Sequence, residues 1–241
     1  MPTRPMAHSW DLDPGEARRL QAELAPLVDA RTPLPPVRTV AAADVSYDRG
    51  DDRLYAAVVV VDVATLAVVE QAGLVARASF PYVSGLLSFR EAPPILEAFG
   101  RLQARPDVLL TDGQGLAHPR RFGIACHLGL ILDLPAVGCG KSRLCGQFAE
   151  PGPERGDRSP LTDKGEVIGA VVRSRRGIKP LFVSVGHRCD LESAVELVLR
   201  LTPRYRVPIP TRLAHAEVNR LRLAARAGHG ADRPEPGSPH G

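Results

Sequence analysis

Residues 37–48 read VRTVAAADVSYD. Strict alternation places Val37, Ala41, Ala43, Val45 and Tyr47 on one face, with Asp44, Ser46 and Asp48 on the other, the period of a β-strand. Ala43 and Val45 flank Asp44, which suits a central strand, where an inward-facing acid needs a partner. Two further apolar runs follow, LYAAVVVVDV (54–63) and LAVVEQAGLVARAS (66–79). Short polar turns separate the three, so they predict an antiparallel meander.

Outward from this ribbon the pattern changes. Leu20, Leu24 and Leu27 have helical spacing, which predicts a helix over 14–29. A helix over 93–103 carries Ile95, Leu96, Phe99 and Leu102 on one side. Strand DVLLTD (107–112), a helix over 119–133 and strand PAVGC (135–139) come next. A Pro/Gly loop spans 149–160, strands lie near 166–173 and 180–185, and helices cover 190–201 and 211–226. The expected fold class is α/β, a mixed sheet with an antiparallel N-terminal meander flanked by helices. Residues 1–13 and 227–241 lack periodicity and read as flexible tails around one domain, 14–226.

The chain has 241 residues, enough for one core, with 44% hydrophobic and 24% charged residues, as in ordinary globular proteins. Net charge is +4 and the pI about 9.1, a mild excess compatible with a polyanion partner. Cys126, Cys139, Cys145 and Cys189 show no CxxC spacing, which argues against zinc and for reduced thiols. No run approaches the roughly 20 apolar residues of a membrane span. The N-terminal stretch has no apolar signal-peptide core. The expectation is a monomeric cytoplasmic protein with no membrane partner.

Asp44, Glu91 and Asp112 each lie at or near the end of an apolar run. Gathering three carboxylates is unfavourable, through like-charge repulsion and desolvation. A divalent cation removes that penalty, and an all-oxygen set suits Mg²⁺ or Mn²⁺. Phosphodiester hydrolysis is a common reason for such a cluster. Asp112 ends a buried strand before GQG, where open α/β sheets bind ligands; the same Asp-Gly pair also suits a plain turn. Ser88 and Glu91 fit a capping box, but that start would bury Pro93 and Pro94 beyond the first turn. The expected helix therefore starts at Pro93, with Glu91 outside it and facing a cleft.

His118 before Pro119 reads as an N-cap, where Arg120 and Arg121 would complete an anion site; a poor cap with two solvated arginines fits as well. Lys141 in GCGKS lacks the first glycine of a nucleotide loop, which falls at Pro135. It suits a phosphate as a point charge, or a bare surface. His187 after a strand either lines a site or turns the chain. His215, alone on the last helix, reads as structural. Tyr82 in PYVSG can wedge between bases or pack beneath its loop.

The words FPYVSGLLSFREAPP, DGQGLAHPRRFGIACHLG, VGCGKSRLCG, DKGEVIGAVVRSR, KPLFVSVGHRCDLESA and PIPTRLAHAEVN occur in one order. Over about residues 20–222 the chain resembles the endonuclease V family. The resemblance implies a ribonuclease H-like fold and a Mg²⁺-dependent enzyme, with Mn²⁺ able to substitute. It implies DNA containing deaminated bases, above all inosine, as substrate, with inosine-containing RNA for some members. The implied nick falls at the second phosphodiester bond 3′ to the lesion and leaves 3′-hydroxyl and 5′-phosphate ends, starting repair. By the same resemblance Asp44, Glu91 and Asp112 form the acidic triad and His215 joins the metal site. Lys141 lies near the scissile phosphate and Tyr82 is the wedge. Gly85, Leu87, Gly113, His118, Gly123, Ile124 and Leu144 form the base pocket.

Two departures stand out. The wedge word is usually PYIP and is PYVS here, so Ser84 replaces a stiffening proline. The word before the lysine is usually GVAK and is GCGK here, so Gly140 is expected to loosen the lysine. Two rivals remain: another nuclease of the same fold, including an inosine-specific ribonuclease, and a protein that marks deaminated bases without cutting.

Overall fold

The computed structural model describes residues 8–48 and 50–230. Strands β1 (Thr39–Tyr47), β2 (Arg53–Asp62) and β3 (Val68–Arg77) form the expected meander. The other strands are β4 (Val108–Thr111), β5 (Ala136–Gly140), β6 (Arg158–Asp163), β7 (Glu166–Val172) and β8 (Leu181–His187). One eight-stranded sheet results, in the order β3-β2-β1-β4-β5-β8-β7-β6. Among the described residues only the β1–β4 and β4–β5 pairs are parallel.

The helices are α1 (Pro14–Leu24), α2 (Leu87–Gly100), α3 (Ile124–Leu132), α4 (Leu191–Arg200) and α5 (Ile209–Gly230). The alternation of β1 decides the layering. Ala41 and Ala43 face a core shared with Ile95 of α2 and Leu128 of α3. Val40 and Ala42 face a core shared with Val195 of α4 and Ala214 of α5. The polar half of β1 meets α5: Asp44 contacts His215, Ser46 contacts Arg222, and Asp48 pairs with Arg226 at 2.5 Å.

Several boundaries differ from the sequence reading. Helix α2 begins at Leu87, so Pro93 and Pro94 lie inside it. Burial of Leu86 and Phe89 against Ala17 and Phe80 draws the first turn into helix, offsetting the bonds the prolines forfeit. Helix α3 starts at Ile124 with Gly123 as N-cap, not at Pro119. Arg121, at φ 54°, breaks any earlier start, and its guanidinium is tied to Asp163 (2.9 Å) and Glu166 (3.0 Å).

Strand β6 lies partly within the expected 149–160 loop; it joins β7 through a two-residue turn with Lys164 (φ 53°) and Gly165 (φ 80°) both left-handed. Residues 8–13 are not a loose tail. Trp10 packs on His127 and Phe89, and Asp13 caps α1 in a capping box with Glu16. Helix α5 continues through Gly230, past the expected boundary at 226. Residues 1–7 and 231–241 of the expected tails lie outside the described residues.

The link from β4 to α3 packs closely against the backbone of β5 and β8 and against itself. A Cβ on Gly115 would lie 1.9 Å from the Val185 carbonyl oxygen, and one on Gly123 would lie 2.1 Å from that of Gln114. Gly115→Ala should therefore destabilise the protein by at least about 1–3 kcal/mol, read as a lower urea midpoint. Gly100→Ala, where a Cβ meets nothing within 4 Å, should leave the midpoint unchanged or raise it.

Candidate active site

The β1–β4 register sets Ala43 opposite Thr111. The residues that follow, Asp44 and Asp112, thus emerge side by side from parallel strands about 4.8 Å apart. Glu91 reaches the same place from α2, one turn after Ser88. Its carboxyl is pushed up to about 8, first by burial and then by the charges of Asp44 and Asp112. Among the described residues no group donates a hydrogen bond to it. The Asp44 carboxyl is also raised, mainly by burial, with His215 opposing and Asp112 adding to the shift.

The other two acids are paired. Asp44 Oδ2 lies 2.8 Å from His215 Nδ1, and Asp112 Oδ2 accepts a short hydrogen bond from Lys141 Nζ. Among the described residues no three His, Cys, Asp or Glu side chains already stand as a metal cage. The acids are gathered closely enough to perturb one another, but Asp44 and Asp112 are closed onto the nearest donors. Such a surplus of hard oxygen, with one carboxylate lacking a donor, is chemically suited to a divalent cation.

Beside the acids lies a cavity of about 410 Å³. Tyr82, Gly85, Leu87, Gly113, His118, Gly123, Ile124 and Leu144 all line it, together with Asp112 and Lys141. The acidic cluster and the cavity therefore share a wall. Tyr82 stands at the rim, 65% exposed, its ring 6.4 Å from that of Tyr47.

The floor is organised by one carbonyl. Gly85, at φ 76°, turns its oxygen toward three donors: Arg120 Nη2 (2.7 Å), His118 Nε2 (3.0 Å) and Gln21 Nε2 (3.1 Å). His118 Nδ1 accepts from the Arg120 amide at 3.1 Å, which assigns the ring proton to Nε2. Burial, with Arg120 beside it, lowers the His118 pKa to about 4, so the ring is neutral. His118 is thus a strut and not a helix cap. The expected anion site is not built there, because Arg120 bonds Gln21 and Gly85 while Arg121 bonds Asp163 and Glu166.

The space beside Gly140 is occupied by the Gln114 side chain. A Cβ there would lie 2.2 Å from Gln114 Nε2, which donates to the Ser142 carbonyl at 3.0 Å. That hydrogen bond links Gln114 to the lysine turn. Gln21 and Gln114 were not singled out in the sequence; a polar residue beside Leu20 in the apolar stripe of α1 was the only signal for Gln21. His187 is structural, its Nδ1 accepting the Asp29 amide at 3.2 Å.

A cluster of carboxylates from two adjacent parallel strands and a flanking helix of a mixed sheet, joined to a glycine-lined cavity, defines a nuclease of the ribonuclease H-like class. The endonuclease V family model matches residues 22–216. Endonuclease V of Myxococcus xanthus is 49% identical over 225 residues, 93% of this chain and 96% of that protein. The crystal structure of endonuclease V from Streptomyces avermitilis superposes with a TM-score of 0.87 at 43% identity, covering 92% of this chain and 98% of that one. Endonuclease V of Ciona intestinalis, in complex with a 23mer DNA containing an inosine followed by a ribo-adenosine, gives a TM-score of 0.78 at 28% identity, covering 88% and 97%. The chain belongs to the endonuclease V family, and its enzyme class is deoxyinosine 3′ endonuclease.

The Glu91 shift has a measurable sign. Between the usual value of 4.5 and about 8, the folded state holds a proton that the unfolded state has lost, so stability falls as pH rises through that window. In EDTA, Glu91→Gln should match the parent in urea-midpoint titrations at pH 4 and exceed it at pH 9, since only the parent must then bury a charge. A constant gap across that range would refute the shift.

Proposed function

We propose that residues 14–226 form one catalytic domain that recognises inosine and related deaminated bases in DNA. It nicks the second phosphodiester bond 3′ to the lesion with Mg²⁺, leaving a 5′-phosphate and starting repair. The observation that carries this reading is the shared wall: Asp112 and Lys141 belong at once to the acidic cluster and to the cavity. A base held in the cavity keeps its own strand beside the carboxylates.

In this reading Asp44, Glu91, Asp112 and His215 hold the divalent cation. Hard oxygen donors favour Mg²⁺, with Mn²⁺ able to replace it. A divalent ion held there would supply Lewis acidity for activating water and for stabilising the leaving oxygen. Lys141 exchanges Asp112 for the scissile phosphate, which it meets as a point charge. Tyr82 enters the gap left by the extruded base. Gly85, Gly113 and Gly123 let backbone approach the base edge, while Leu87, Ile124 and Leu144 close on its faces. His118 works through Gly85, because both of its ring nitrogens are already engaged.

No helix among the described residues is long and apolar enough to cross a membrane. We take the working form to be a cytoplasmic monomer. RNA is the second reading, favoured by the Ciona intestinalis relative, whose bound inosine is followed by a ribo-adenosine.

With Mg²⁺, the protein should nick an inosine duplex and spare the matched duplex lacking inosine. Asp44→Ala and Asp112→Ala should each lower the rate by about a thousandfold, the scale of metal-borne charge stabilisation. Equal cutting of both duplexes would refute the substrate, and persistent cutting by both variants would refute the acid roles. Binding in EDTA with no product after Mg²⁺ addition would support the non-cutting rival. Parallel assays on inosine DNA and inosine RNA, with ends mapped, choose between the two readings.

Tyr82→Ala should weaken lesion binding by about 1–3 kcal/mol in a titration with labelled duplex. Its Mg²⁺ affinity should stay at the parent value. Equal loss of both would count against a wedge.

A further inference from the structure

We propose that Tyr205 and Arg212 form a subsite for the strand on the 3′ side of the scissile bond, the Tyr205 ring stacking on a nucleotide and the Arg212 guanidinium meeting its phosphate. This rests on the reading of the acidic cluster as the cleavage centre.

Two anchors fix the pair beside that centre. Arg206, the neighbour of Tyr205, donates to the Lys141 carbonyl at 2.7 Å and to those of Pro180 and Lys179 at 2.8 Å. The loop carrying Tyr205 is thereby tied to the turn carrying Lys141. Arg212 lies one turn before His215 on α5, and His215 is bonded to Asp44. Tyr205 is thus linked to Asp112 through Arg206 and Lys141, and Arg212 stands one turn from the partner of Asp44.

The pair is shaped for a ligand. The Arg212 guanidinium carbon stands 4.0 Å from the Tyr205 ring centroid, and the ring remains 44% exposed. Among the described residues no carboxylate pairs with Arg212, so its donors are available to an anion. An aromatic face with a fixed cation suits a nucleotide, which offers both a π-face and a phosphate.

Position selects the polarity. The base cavity reaches Asp112 and Lys141 but is not lined by Asp44, His215, Tyr205 or Arg212. A strand with its lesion in the cavity passes Asp112 and then Asp44, and continues onto the start of α5. Since the bond to be cut lies 3′ of the lesion, that continuation is the 3′ arm.

The test uses inosine oligonucleotides of two kinds, one ending just past the scissile bond and one extended by several nucleotides. On the extended substrate, Tyr205→Ala and Arg212→Gln should raise KM about tenfold with kcat within about twofold of the parent. On the truncated substrate neither variant should differ from the parent. Tyr205→Phe keeps the ring and should keep the parent KM on both, which separates stacking from misfolding. Arg212→Gln should reduce the salt slope of log KM by about 0.7–0.9 on the extended substrate only. Equal losses on both substrates, or no loss on either, would overturn the subsite. Failure of the cleavage-centre reading would look different: Asp112→Ala would then nick both substrates at the parental rate.

Discussion

The crowding of three carboxylates at one end of the sheet is the constraint to which the rest of the site responds. Parallel pairing of β1 with β4 ends at Ala43 and Thr111 and leaves Asp44 and Asp112 side by side just beyond it, and α2 adds Glu91. Repulsion and burial would open such a cluster unless nearby groups answered it. His215 and Lys141 answer two of the three acids. Glu91 has no donor among the described residues, and its raised pKa records the remaining strain. The same imbalance that penalises the isolated fold equips the site for a divalent cation.

The base cavity has a different physical origin. Its walls include glycines that let neighbouring groups approach at distances no side chain permits, most severely at Gly123 and Gly140. A single carbonyl, that of Gly85, is gripped by Gln21, His118 and Arg120 from three parts of the chain. Three donors on one acceptor hold the turn beside Tyr82 and Ser84.

The meander, the two faces of β1 and the family word order were legible because they are local. Alternation at residues 37–48 puts Asp44, Ser46 and Asp48 on one face, and the structure shows that all three meet α5. The start of α2 was not legible. Local rules forbid prolines in a second turn, and only burial of Leu86 and Phe89 under α1 overrides them. The role of His118 was hidden for a like reason: Pro119 favours a helix start, yet ion pairs from the distant β6–β7 hairpin hold Arg121 in a left-handed turn. Gln114 carries no local mark, and Gln21 only its place in the apolar stripe of α1.

By itself, the sequence determined the strand and helix periods, the identities of the acids and the glycines, and hence the family. Those depend on side-chain spacing along the chain and on short words, which one dimension preserves. Tertiary structure alone decided that the carboxylates meet as two occupied pairs and one half-buried acid, Glu91. It also decided that the cavity shares a wall with them, and that Arg206 ties the Tyr205 loop to Lys141. Each of these depends on register between strands far apart in the chain and on competition among donors for the same oxygens. Neither quantity exists until the sheet has closed.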